Sequence, residues 1–144
     1  VKRIAFAAIV AYLDRATDDG RLLVTPEILL HHAYPLPVFG YNATTGQRDR
    51  VGLIEIAAVC DRRLIVFGRM TTGPEAKPYV DRLSEGSAWL ELDLSHIETE
   101  TEEPTNTDPN PVTRFTSWSL ACATIGESPC WDLPPVQIEE FTNA

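Results

Sequence analysis

The stretch "EGSAWLELDLSHIETE", residues 85–100, sets Ser95 directly before His96, and a hydroxyl beside an imidazole is the raw material of nucleophilic acyl transfer. That chemistry needs the imidazole within hydrogen-bond reach of the hydroxyl. Adjacent residues of an extended strand point to opposite faces, so Ser95 and His96 are expected to miss each other. His31 and His32 lie upstream; as neighbours on a short helix they would point roughly 100° apart, which makes them poor co-ligands for a metal. Neither is assigned a place opposite Ser95, although both remain available to it. Ser117, Ser119 and Ser128 lack a G-x-S-x-G setting and read as ordinary strand or turn serines. Cys60, Cys122 and Cys130 are odd in number and have no C-x-x-C spacing. They read as packed thiols of a reducing compartment, and no metal or other cofactor is assigned.

Length and charge limit what such residues could serve. A chain of 144 residues, 44% hydrophobic and 23% charged, reads as one ordinary globular domain. Folding at this size buries roughly 68–70% of the unfolded surface. The formal net charge of −9 argues against nucleic acid, whose binding depends on Lys and Arg displacing counterions, and fits a basic or mixed-charge protein partner. Lys2 and Arg3 ahead of an apolar run look superficially like a secretory leader. Asp14 and Arg15 close that run and no small-residue cleavage site follows, so the segment reads as a strand. No run approaches the roughly 20 apolar residues of a membrane-spanning helix, and the chain is expected to be soluble, with no membrane partner.

The elements that must position the polar residues are mostly strands. Residues 4–12 are rich in β-branched and aromatic types and end at the turn "DDGR". "TPEILLHH" suggests a short helix with Thr25 as its N-cap and Pro26 at its first position. "VGLIEIAAVC" and "LIVFGR", separated by Asp61–Arg63, predict a hairpin whose first strand is buried on nearly both faces. Leu53, Ile54, Ile56, Val59, Ile65 and Phe67 are the expected core. A helix with Tyr79, Val80 and Leu83 on one face should stop at Gly86, and Trp89, Leu90, Leu92 and Leu94 begin the next strand. Residues 99–111 have no apolar side chain apart from three prolines and read as an exposed acidic loop. The expected fold is mainly β, a single β-barrel domain of α+β type with a few short helices.

The order of these segments, from Ile4 to Phe141, resembles the capsid maturation (prohead) proteases of tailed phages, especially those infecting actinobacteria, which share the fold of the herpesvirus assemblin proteases. The resemblance is carried by "DDGR" at 18–21, "PLPVFGY" from Pro35, "SEG", "LELDLSHIETE" from Leu90, and "RFTSWSLACATIGESPCW" from Arg114. It implies a His-Asp pair after the Pro-Leu stretch and a nucleophilic Ser in a Val-Ser-Val-Asp strand. This chain has Arg48-Asp49 and Leu90-Glu91-Leu92-Asp93 at those places, so the expected His is Arg48 and the expected Ser is Glu91. A guanidinium stays protonated and cannot act as the base, and acylation of a glutamate would give an anhydride. An Arg48–Glu91 ion pair is expected to fill the position, and no residue is assigned as catalytic.

The resemblance therefore implies a non-enzymatic virion protein: a pseudoprotease serving as a minor capsid or decoration protein that binds and stabilises the major capsid protein shell. Its place is the virion, after assembly in the host cytoplasm, with self-association on the shell lattice as a further contact. Strand addition is a physically reasonable mode of attachment. The partner-binding candidates are Glu98, Glu100, Glu102 and Glu103 of the acidic arm, together with Tyr41, Trp89, Trp118 and Trp131. Core packing is the alternative for each aromatic. Two other functions stay open: an active capsid maturation serine protease cleaving scaffold or capsid precursor, and an unrelated small β-barrel interaction domain.

Overall fold

The computed structural model describes residues 2–42, 44–101 and 111–142. The chain runs β1 (Lys2–Tyr12), β2 (Arg21–Leu23), β3 (Leu30–His31), β4 (Leu36–Asn42), β5 (Gln47–Cys60), β6 (Arg63–Met70), α1 (Lys77–Glu85), β7 (Trp89–Thr101), β8 (Thr113–Gly126) and β9 (Gln137–Thr142). The mainly-β expectation holds. Among the described residues nine strands form one sheet that does not close, so the expected barrel is not formed, and α1 is the one α-helix.

Strand β8 organises the half of the sheet that matters here. Along one edge it pairs antiparallel with β7, from Trp89↔Gly126 to Thr101↔Thr113. Its other edge carries three parallel partners in succession: β2 at Thr113–Phe115, β3 at Ser119–Leu120 and β4 at Ala123–Ile125. From β4 the sheet continues through β5, β6 and β1 to β9. The β5–β6 hairpin turns on two residues, Asp61 and Arg62, both with positive φ, which is the turn whose twist suits a tight antiparallel pair.

Alternation puts Ile4, Phe6, Ala8 and Val10 of β1 inward against Leu64 and Val66 of β6 and Leu120 and Ile125 of β8. Helix α1 lays Tyr79, Val80 and Leu83 on this core and ends at Gly86 (φ 76°), as the sequence indicates. The expected burial of β5 on both faces is wrong. A bulge between Ile54 and Ile56 turns Ile54 inward and leaves Ile56 58% exposed, and its cross-strand neighbour Phe67 is 45% exposed. Leu64 and Val66 take the core places expected of Ile65 and Phe67. Cys60 also faces out, so only Cys122 and Cys130 are partly packed; all three thiols are free.

The helix expected over 25–32 is absent. Thr25, instead of capping, binds the Asp14 carboxylate through its amide (3.0 Å) and its hydroxyl (2.6 Å). These bonds hold the Asp14 carboxyl below its ordinary value. The following residues extend along β8, with Val24 N–H donating to Phe115 O, Leu30 opposite Ser119, and His32 N–H donating to Leu120 O. Pairing with a central strand overrides a weak local helix signal.

Candidate functional site

The outer face of β7 and β8 carries a continuous polar strip. Leu90, Leu92 and Leu94 point inward, so Glu91, Asp93 and Ser95 share the opposite face of β7, facing Thr124, Cys122 and Ser119 of β8. Two clusters lie along it, roughly 7 Å apart by strand rise from Asp93 to Ser95.

The first centres on Asp93. Arg48 reaches over from β5 with its guanidinium 4.5 Å above the Phe39 ring, donating to Thr124 Oγ1 (2.8 Å) and Asp93 Oδ2 (3.2 Å). Cys122 Sγ (3.1 Å) and Thr124 Oγ1 (3.0 Å) donate to the same carboxylate oxygen. Burial and the Asp93 carboxylate push the Cys122 thiol up to about 11, so it stays protonated and is no nucleophile at neutral pH. The Glu91 carboxyl lies over Gly126, in the space a side chain there would fill. The expected Arg48–Glu91 ion pair does not form: Arg48 pairs with Asp93. Glu91 is left with burial and a like charge, and both raise its pKa above the ordinary value. The two positions the resemblance singled out do converge, since Arg48 bonds the Thr124 that stands opposite Glu91.

The second cluster centres on Ser95. Its Oγ lies 2.8 Å from His32 Nε2, 3.2 Å from His96 Nδ1 and 3.3 Å from the Oγ of buried Ser119. This corrects two expectations. His96 has φ 52°, and residues 96 and 97 together oppose only Trp118 in a break of register, so its ring turns back to Ser95 instead of to the far face. His32 does stand opposite Ser95, because β3 and the bend after it hang the ring over β8. With β3 and β7 about two strand spacings apart, roughly 9.5 Å, an imidazole spans the gap.

Several contacts hold that bend. The Trp118 indole N–H donates to Val24 O (3.1 Å), Ala57 N–H donates to the Tyr34 hydroxyl (2.9 Å), and the His31 ring stacks on Tyr34 at 4.0 Å. His31 Nδ1–H donates to the His32 carbonyl (2.6 Å). Among the described residues no carboxylate or second imidazole bonds His32 Nδ1, so the pair lacks the orienting third group of a full triad.

Comparison with protein-family models, with curated proteins and with solved structures finds no match.

The expected partner-binding residues scatter. Glu98 and Glu100 lie exposed on β7, whereas Glu102 and Glu103 fall outside the described residues. Trp118 is 3% exposed and belongs to the core, so it is no contact residue. Trp89 and Trp131 are half-buried and tie loops to the sheet, donating to Leu133 O (3.2 Å) and Arg15 O (2.9 Å). Tyr41 is exposed. Beside β7 a cavity of about 80 Å³ is bordered by Leu90, Leu92, Leu94 and Phe115 together with Glu91 and Arg21, and Ser95 does not line it. Among the described residues no group of three or more His, Cys, Asp or Glu side chains is placed to hold a metal.

Proposed function

We propose that this chain is a serine hydrolase of extended peptides, with Ser95 as nucleophile and His32 as its base. The observation that carries this is the 2.8 Å contact between Ser95 Oγ and His32 Nε2. With the ring proton on Nδ1, Nε2 accepts the serine proton as Oγ attacks a carbonyl carbon. The imidazolium then protonates the departing amine, and a water, with His32 again as its base, hydrolyses the acyl-serine. Serine proteases lose about 10⁴ in kcat when no carboxylate fixes the histidine tautomer. A slow turnover is therefore expected here.

The sheet supports an extended peptide as the substrate class. Among the described residues β7 pairs only with β8, so its other edge offers N–H and C=O groups to an added strand beside Ser95. The resemblance to prohead proteases supplies the candidate substrates, scaffold or capsid precursors of a tailed phage. A second reading keeps the fold and drops the chemistry: a minor capsid or decoration protein bound to the major capsid protein in the virion. It is favoured by the Arg48–Asp93 pair, which occupies the stretch where the resemblance implies a catalytic His and Ser.

Digestion of a fluorogenic peptide library by the full chain, with Ser95→Ala in parallel, separates the two. Cleavage lost in the variant supports the hydrolase. No cleavage by either protein, together with recovery of the chain on purified particles, supports the shell protein and contradicts the hydrolase.

A further inference from the structure

Ser95 Oγ carries one donor and two acceptor sites, and three partners meet it. If its proton goes to His32 Nε2, then His96 Nδ1–H and Ser119 Oγ–H are left to donate to the two lone pairs. In a triad of the ordinary kind one imidazole serves both half-reactions, taking the serine proton and later giving it back. Here two imidazoles touch the same oxygen from different directions, their ring centroids 6.0 Å apart and tilted by 53°. His96 reaches its place only by adopting a left-handed backbone, φ 52°, in the middle of a strand. Non-glycine residues rarely hold that conformation, and such strain gathers at functional positions.

The geometry points to a division of labour, resting on the hydrolase reading, in which His32 is the base of acylation and His96 is the acid that releases Ser95 in deacylation. In the first step the Oγ–H bond breaks, its proton passes to His32 Nε2, and the new bond forms from Oγ to the acyl carbon as the leaving group departs with its electron pair and takes that proton from His32, or leaves it to solvent, so that His32 is neutral again. In the second, water attacks the acyl carbon and gives its proton to His32 Nε2. The bond from the acyl carbon to Oγ then breaks, its electron pair stays on Oγ, and that oxygen takes the Nδ1 proton of His96, which acts in this step as the imidazolium. The His32 imidazolium gives its proton to solvent and His96 takes one back from it, so each ring returns to its starting state. His96 can serve here because its Nδ1 lies 3.2 Å from the atom that leaves, a second ring nitrogen beside His32 Nε2 at 2.8 Å.

Stopped-flow hydrolysis of p-nitrophenyl acetate by the full chain reads the two steps separately. Wild type should give a burst of one nitrophenolate per chain and then a slower steady state, and Ser95→Ala and His32→Gln should lose the burst. His96→Asn, whose side chain tolerates positive φ, should keep the burst and lower the steady rate by about 10²-fold. His96→Gly keeps the backbone free to turn left-handed without a ring, and serves if the Asn variant does not fold. Added imidazole should restore part of its steady rate above that of imidazole with the Ser95→Ala chain, which a merely structural role would not allow. Nitrophenolate release by wild type no faster than that by Ser95→Ala overturns the Ser95 site itself. A normal burst with an unchanged steady rate in both His96 variants leaves that site standing and overturns the role of His96.

Discussion

Glu91 and Asp93 face the same way on β7, and only Asp93 has a cationic partner. Glu91 therefore titrates above its ordinary value of 4.5 in the folded chain. A carboxyl raised on folding binds its proton more tightly in the native state, so its contribution falls as pH rises from the unfolded value through the folded one. Glu91→Gln should accordingly melt at or above the wild-type temperature at pH 7, and the difference should vanish near about pH 3, well below the ordinary carboxyl value, where the folded and unfolded carboxyls are both protonated. A lower melting temperature at pH 7 would restore the ion pair that the sequence suggested. Arg48→Gln should cost no more than about 1 kcal/mol in urea titrations, because Arg48 and Asp93 are both half-exposed. The polar strip was half legible in the sequence. Glu91, Asp93 and Ser95 share a face by simple alternation, whereas Ser95 and His32 meet across 63 residues through a parallel pairing that no local pattern encodes.

The bend after β3 and the β5–β6 turn show where local signals succeed and fail. The hairpin was readable because a short polar break between two apolar runs leaves few alternatives. Arg62 adopts the left-handed conformation there without help from a small or amide side chain. Arg62→Gly should therefore raise stability by about 0.5 kcal/mol in urea titrations, the net of relieved backbone strain and added unfolded-state entropy. The helix suggested by Thr25 and Pro26 failed because the segment gains a ladder with β8 and the Asp14–Thr25 bonds instead. Trp118→Phe removes the indole bond to Val24 O and should cost about 1 kcal/mol. On the hydrolase reading it should slow burst formation more than that loss suggests, since the same bond anchors the segment carrying His32.

At the scale of the whole molecule, an open sheet places beside Ser95 the β7 edge that pairs with no strand among the described residues, and leaves its core shared by both halves. Ile54 is fully buried at the centre, so Ile54→Ala should cost about 2–5 kcal/mol by urea titration, while Ile56→Ala, on the exposed side of the bulge, should cost far less. Equal losses would mean the bulge is misplaced. The mainly-β class was legible from strand-rich composition; the failure of the sheet to close was not, because closure depends on how distant edges meet. The central claim is that Ser95 is a nucleophile activated by His32. Intact-mass analysis after treatment with a fluorophosphonate, followed by mapping of the modified peptide, tests it most directly. The account predicts one adduct, on Ser95, that is absent from Ser95→Ala and His32→Gln. No adduct on the wild-type chain, or one that persists in Ser95→Ala, would contradict it.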